Sequence, residues 1–195
     1  MFASFLRELK PSCLMFLWLS LITGVGYPLA VTALGATVFP HQAAGSLVSR
    51  DGVVAGSALI GQPFAPGRYF AGRPSATSPF PCDAAASGGS NLAPTNPALA
   101  EAVKARAAGL DALASGRPVP MDLATASASG LDPHISAEAA RWQAPAVAKA
   151  RGLAEKDVAE LIASQTEGRL LGVWGEERVN VARLNLALDA LAGAK

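Results

Sequence analysis

The stretch LMFLWLSLITGVGYPLAVTALGATV, residues 14–38, decides how the rest of the chain is read. It sits inside a longer run, Pro11 to Ser49, that holds no Asp, Glu, Lys or Arg and has only His41 to titrate. As a helix, its 25 residues would reach roughly 37 Å, more than the ~30 Å hydrocarbon core of a bilayer. A cleaved signal peptide is the competing expectation, because Val31 and Ala33 form a small-residue cleavage pattern behind a basic start. The apolar region of such a peptide runs to about 7–15 residues, and this one is longer. The expected division is therefore an N-terminal segment at 1–13, a transmembrane helix at 14–38 and an extramembrane domain at 39–195.

Orientation follows from the cations. Arg7 and Lys10 precede the span and the next cation is Arg50, which puts the N-terminus in the cytoplasm and the large domain outside. Within the span Ser20, Gly24, Gly26, Ala30 and Ala33 recur at short intervals, an arrangement that lets another helix approach closely. Small residues are also common throughout this Ala-rich chain, so composition alone is the plainer explanation. Pro28 is expected to kink the helix.

Composition narrows the rest. Of 195 residues, 51% are hydrophobic, 16% charged and 6% aromatic, which suits one modest domain beside the span. Sixteen Lys and Arg stand against fifteen Asp and Glu, and that balance lacks the basic surplus of a nucleic-acid binder. The 19 Gly and 14 Pro point to a loop-rich fold rather than a helical bundle. Cys13 and Cys82 form no CxxC pair and have no His cluster beside them, so neither a metal site nor a disulfide framework is expected.

The domain reads as mixed α and β. Leu47-Val48 and Val53-Val54 flank Asp51-Gly52 as a tight hairpin, with Ala58 to Ile60 as a further strand. Pro63 to Pro97 is rich in Pro, Gly, Ser and Asn, a long loop of the kind that is usually functional or mobile. Asn96-Pro97 opens a helix running to about Ala114. Ser136 caps another, which Pro145 should kink or divide. A helix from about Glu155 to Ser164, a short strand from Arg169 to Val173, and a final amphipathic helix opened at Val179 or Asn180 and carrying Leu184, Leu186, Leu188 and Leu191 complete the chain.

Thr125 to His134 gathers Ser127, Ser129, Asp132 and His134 within ten positions. Three readings stay open there: a structural loop capped by Asp132 and Ser136, a binding surface, and a membrane-anchored periplasmic serine hydrolase. Ser129 lacks the G-x-S-x-G elbow that exposes a nucleophile, and a triad is assembled by the fold rather than by crowding in sequence. The chain has no phosphate-binding G-x-x-x-x-G-K-[ST]. Ser87, Gly88, Gly89, Ser90 and Asn91 can form an anion nest from successive N–H groups, and Arg73, between Gly72 and Pro74, is presented on a stiff turn as a polar contact. An independent anchored binding protein remains a further alternative.

Taken in order, these segments resemble the C subunit of the bacterial Kdp potassium-transporting ATPase over nearly the whole chain. The residues that carry the resemblance begin with the basic start before one span, Gly56 to Gln62, Tyr69-Phe70 with Gly72 to Ala76, and Ala86 to Leu92. They continue with Thr125 to Ser127, Ser129 to Ser136, Thr166 to Arg169, Arg178 to Val181 and Leu184 to Asp189. Ala93 and Ala128 stand where the family tends to have Gly. The resemblance implies a non-catalytic subunit of an inner-membrane complex, beside a channel-like potassium-binding subunit, a P-type ATPase subunit and a small single-span subunit. The chain has no Asp-Lys-Thr-Gly-Thr motif, so it is not itself the phosphorylated pump subunit. The family is also credited with a catalytic-chaperone role that raises the pump subunit's affinity for ATP. No tightly bound cofactor is implied, and ATP is the small molecule that this role brings in. The charge rule puts the domain on the side without ATP, which favours a stabiliser covering the potassium entrance from outside.

Overall fold

A computed structural model describes residues 2–50, 52–114 and 116–193. Asp51, half of the expected Asp51-Gly52 turn, lies outside the described residues. The chain forms two compact units, residues 1–46 and 47–195.

The first unit is helical: α1 (Phe2–Leu21), a π-helical turn (Ile22–Gly26), α2 (Tyr27–Val38) and a short α3 (Pro40–Ala43). From Arg7 to Val38 it is long and apolar enough to cross a membrane, with a mean hydropathy of 1.8 over its most apolar window. Pro28 follows a break in the α-helical ladder, and the form of the break is specific. The Tyr27 N–H reaches back five residues to the Ile22 carbonyl, and Pro28 then takes an early position in α2 where it needs no donor.

The second unit opens with a hairpin of β1 (Leu47–Arg50) and β2 (Val53–Ser57), whose register shifts between Val48 and Ser49. The expected strand at Ala58–Ile60 is a turn instead. The Ser57 hydroxyl accepts the Leu59 N–H at 3.1 Å, and the Ala58 carbonyl turns inward to accept from Asn180 Nδ2 at 2.7 Å. A side-chain oxygen that satisfies the backbone two residues on competes directly with a sheet ladder.

The predicted helix after Asn96 appears as α4 (Pro97–Gly109) and a short α5 (Asp111–Ala114). Asn96 Oδ1 caps the start by accepting from Ala98 N. At the other end Leu110 N–H tightens onto the Ala107 carbonyl, which lets Leu110 and Leu113 pack on the core. After α6 (Met121–Ala124) and β3 (His134–Ser136) comes α7 (Ala137–Arg151), N-capped by Ser136 as expected, with its Oγ accepting the Ala139 N–H at 3.0 Å. Pro145 neither divides nor ends α7. Three residues earlier the Trp142 carbonyl accepts from Arg117 Nη2 at 2.7 Å, and the same guanidinium lies over the Trp142 ring, bracing the helix next to the Arg141 carbonyl, whose i+4 donor Pro145 lacks. Gly152, at φ +65°, ends α7, and Leu153 N–H returns to the Ala148 carbonyl.

α8 (Glu155–Gln165), β4 (Thr166–Glu167), β5 (Arg178–Asn180) and α9 (Val181–Gly193) follow. The sheet runs antiparallel in the order β3-β5-β4. The strand expected at Arg169–Val173 is a turn at the tip of the β4–β5 connection, with Leu171 and Gly172 at positive φ. Its apolar residues, which in sequence read as a short strand, are exposed: Leu171 at 79% and Val173 at 69%.

The core lies where α7, α8 and α9 meet β5, around Val147, Val158, Ile162, Val179, Leu184 and Leu188. Phe70, from the long loop, is buried there completely. Its backbone has no strand to pair with, and side chains take that place. Asn185 of α9 accepts the Phe70 N–H and donates to the Phe70 carbonyl, both at 2.9 Å. Gln143 of α7 does the same for Ala71, at 2.8 and 3.1 Å. Asn185→Leu would leave two buried main-chain groups unpaired, at about 1–3 kcal/mol each. Urea unfolding of the full chain in detergent should therefore show a loss of about 2–6 kcal/mol. A loss near zero would mean that Phe70 is held by packing alone.

Candidate functional site

The sequence singled out the stretch Thr125 to His134, with Asp132 and His134 in it, and separately Arg73 and the loop Ser87 to Asn91. Arg73 and the loop are both placed against residues 125–134, a segment that runs irregularly from α6 into β3. Its Leu131 carbonyl accepts the Gly61 N–H at 2.8 Å, and its Ser127 N–H donates to the Pro74 carbonyl at 3.1 Å.

Gly89 and Gly130 let the strands of chain approach. A Cβ on Gly89 would lie 2.8 Å from the Ala128 carbonyl oxygen, and one on Gly130, which sits at φ +69°, would meet Thr77 at 2.5 Å. Neither position has room for a side chain. The Gly88 N–H donates to the Ser129 carbonyl at 2.9 Å, and the Ser87 hydroxyl donates to the same oxygen at 3.1 Å. One N–H of the expected anion nest is therefore already used inside the chain. Asn91 takes a left-handed conformation, φ +52°, and Ser90 is exposed. Ser75 ties the next layer, donating to the Gly130 carbonyl at 2.7 Å and accepting the Cys82 N–H at 2.9 Å.

On the other side of the segment Asp132 gathers charge. Arg73 Nη1 lies 3.2 Å from Oδ2, the His134 N–H donates to Oδ1 at 3.0 Å, and the His134 ring nitrogen Nδ1 stands 3.7 Å from Oδ1. The imidazole, then the His134 main-chain N–H and the Arg73 guanidinium hold the Asp132 carboxyl below the usual carboxylate range, against the opposing effect of its partial burial. At 3.7 Å the ring lies beyond the reach of a formed hydrogen bond and acts electrostatically at longer range. Arg73 also reaches the Ala126 carbonyl, and its Nε is buried with no partner. These residues line an open cleft of about 350 Å³ with Asp122, Ser136 and Arg178. Glu176 and Glu177 add further negative charge at its edge, which disfavours a polyphosphate there.

Of the Ser-Asp-His cluster of the sequence, Asp132 and His134 meet, while the serines are engaged elsewhere. Ser129 Oγ accepts the Leu131 N–H at 3.1 Å, Ser127 is buried, and His134 faces Asp132 on one side and Asn180 Nδ2, at 3.5 Å, on the other. A serine nucleophile needs a base within hydrogen-bond reach, and neither serine is given one among the described contacts. Sequence reasoning missed Gln143 and Asn185, and also Asp189, which ties Arg50, Arg151 and Tyr69 together at 2.6, 2.7 and 3.3 Å. The available signal was polarity in the wrong place: Asn185 falls on the apolar stripe of Val181, Leu184 and Leu188.

The lowered Asp132 pKa fixes the sign of a pH effect. Its pairing contributes stability at pH values above the unfolded carboxylate pKa of about 3.9, and that contribution fades as pH falls through the lower folded value. Asp132→Asn should cost no more than about 1 kcal/mol at pH 7, since solvent reaches the carboxyl. The gap in melting temperature between wild type and variant should close below about pH 4, and a gap independent of pH would remove the ion pair from the account.

Comparison with known proteins agrees with the architecture along its length. The family model for KdpC, "K+-transporting ATPase, c chain", matches residues 9–190. A potassium-transporting ATPase KdpC subunit of Sorangium cellulosum is 59% identical over 186 residues, covering 94% of this chain and 98% of that one. The corresponding subunit of Methylibium petroleiphilum is 59% identical over 183 residues, 93% and 96% of the two chains. That of Burkholderia vietnamiensis is 57% identical over 187 residues, 95% and 97%. With an apolar N-terminal helix, a mixed α/β domain and this similarity from end to end, the chain belongs to the KdpC family, the C chain of the K+-transporting ATPase.

Proposed function

We propose that this chain is a non-catalytic subunit that holds the potassium pump together. It would sit beside a channel-like potassium-binding subunit, a P-type ATPase subunit and a small single-span subunit in the bacterial inner membrane. The observation that carries this reading is the use made of the chemically capable side chains. Ser75, Ser87, Ser129, Asp132, Gln143 and Asn185 all bond to this chain's own backbone, which shapes a fixed surface rather than a reacting centre. The span supplies a second contact. Ser20 and Gly24 precede or fall within the π turn, whereas Gly26, Ala30 and Ala33 continue from its end. The turn therefore splits the small residues into two short sets, each able to admit a neighbouring helix.

Affinity purification of the full chain from its native membrane in mild detergent tests the assembly role. Two large membrane subunits should come with it in constant ratio. A chain that purifies alone, or one labelled on Ser127 or Ser129 by a fluorophosphonate, contradicts the reading.

Arg7 and Lys10 support a cytoplasmic N-terminus and a periplasmic domain. The two cysteines report on this. Cys13 lies in the apolar helix, and Cys82 is half-buried in the domain, where burial pushes its thiol pKa up against the opposing effect of Ser75. A membrane-impermeant maleimide given to spheroplasts should label Cys82 slowly and leave Cys13 untouched. Labelling of Cys82 only after lysis would reverse the orientation.

A direct role with ATP, as the chaperone reading has it, would rest on Ser87 to Asn91 and Arg73. With one nest N–H already used and acidic groups around Arg73, ATP should bind the full chain no more tightly than about millimolar, roughly −4 kcal/mol. Calorimetry that found micromolar, adenine-selective binding lost on Arg73→Ala would favour the chaperone role instead.

A further inference from the structure

The break in the membrane helix leaves backbone acceptors without donors. Two main-chain nitrogens lie within helical reach of the Thr23 carbonyl, those of residues 27 and 28. The Tyr27 N–H is given to the Ile22 carbonyl across the π turn, and Pro28 has none. The Gly24 carbonyl loses its ordinary i+4 donor to the same proline. The nearest hydroxyl does not compensate, because Thr23 Oγ1 donates backwards to the Leu19 carbonyl at 2.7 Å. Ser12 and Thr37 likewise bond within their own turns. Among the described residues no side-chain donor is directed at Thr23 or Gly24.

Depth makes this consequential. Thr23 is 16 residues from Arg7 and 15 from Val38, the two ends of the apolar helix, so each end is roughly 23 Å away along the axis. Water does not solvate the backbone there, and lipid tails carry no donor. The acceptors are also uncovered, since Thr23 and Gly24 are both exposed.

From this we infer that the π turn at Ile22–Gly26 is a hydrogen-bond acceptor site for a neighbouring span, filled in the assembled pump by a side-chain hydroxyl, carboxamide or indole N–H. The site rests on the assembly role proposed above and adds what that role leaves open, namely the chemistry by which the span is recognised. Close approach of small residues is not enough to fill it, because an all-apolar partner helix would leave the Thr23 carbonyl unpaired.

Thr23-Gly24 is the only Thr-Gly step in the sequence. Labelling threonine with ¹³C at the carbonyl and glycine with ¹⁵N therefore isolates this one carbonyl by carbon–nitrogen filtered solid-state NMR. The labelled full chain is measured in lipid bilayers alone, and again after assembly with unlabelled partner subunits. The Thr23 resonance should move downfield on assembly, as a carbonyl does when it gains a donor. Pro28→Ala provides the internal reference: it returns an N–H, so its resonance should already be downfield in the chain alone and stay there on assembly. An unmoved wild-type resonance in a complex that forms normally overturns the acceptor site and leaves the assembly role standing. A bonded resonance in the wild-type chain alone, from water or a second copy, overturns it too. If no complex forms with the wild-type chain, the assembly role fails and the acceptor site with it.

Discussion

Phe70, buried, and Ala71, half-buried, lie in a segment, residues 61–96, that has no helix or strand beyond an isolated bridge between Pro66 and Tyr69. Four main-chain groups there need partners that no sheet supplies. Gln143 and Asn185 provide them, each carboxamide accepting one N–H and donating to one carbonyl, as an adjacent strand would. Buried polar groups without partners are costly, so the position of the whole loop depends on these two side chains. Because they come from α7 and α9, the helices that build the core also fix the irregular part of the domain.

The functional surface inherits that fixity. With Phe70-Ala71 held, Arg73 is brought to Asp132, Ser75 to Gly130 and, further along, Gly88 to Ser129. Each link joins the long loop to residues 125–134, and each uses a group that would otherwise be free for chemistry. A surface organised in this way has a fixed shape, which suits the assembly role proposed above. The domain is in this respect unlike the span, whose break at Pro28 leaves acceptors unfilled.

Much of this was legible in sequence because local chemistry determined it. Asn96-Pro97 and Ser136 cap helices as their side chains predict, and the charge-free run marked the long apolar helix. Ala58–Ile60 and Arg169–Val173 misled because a short apolar run reads as a strand whether or not a partner lies beside it. At Ala58 the Ser57 hydroxyl and Asn180 amide take the hydrogen bonds a ladder would have made. At Leu170–Val173 the turn exposes side chains that composition alone would bury. Of the candidate site, Arg73, Asp132 and His134 were found and do meet. Their supports were not, since Gln143 and Asn185 act over separations of 72 and 115 residues, and a single sequence carries no local signal for such pairing.

Amide hydrogen exchange on the full chain in detergent, read at Phe70 and Ala71, tests most directly whether two side chains hold the loop. Their N–H groups should exchange as slowly as those of Leu184 and Leu188 in the core of α9, because releasing them requires the helices to open. Exchange at the rate of an unstructured peptide, while α9 stays protected, would contradict the account.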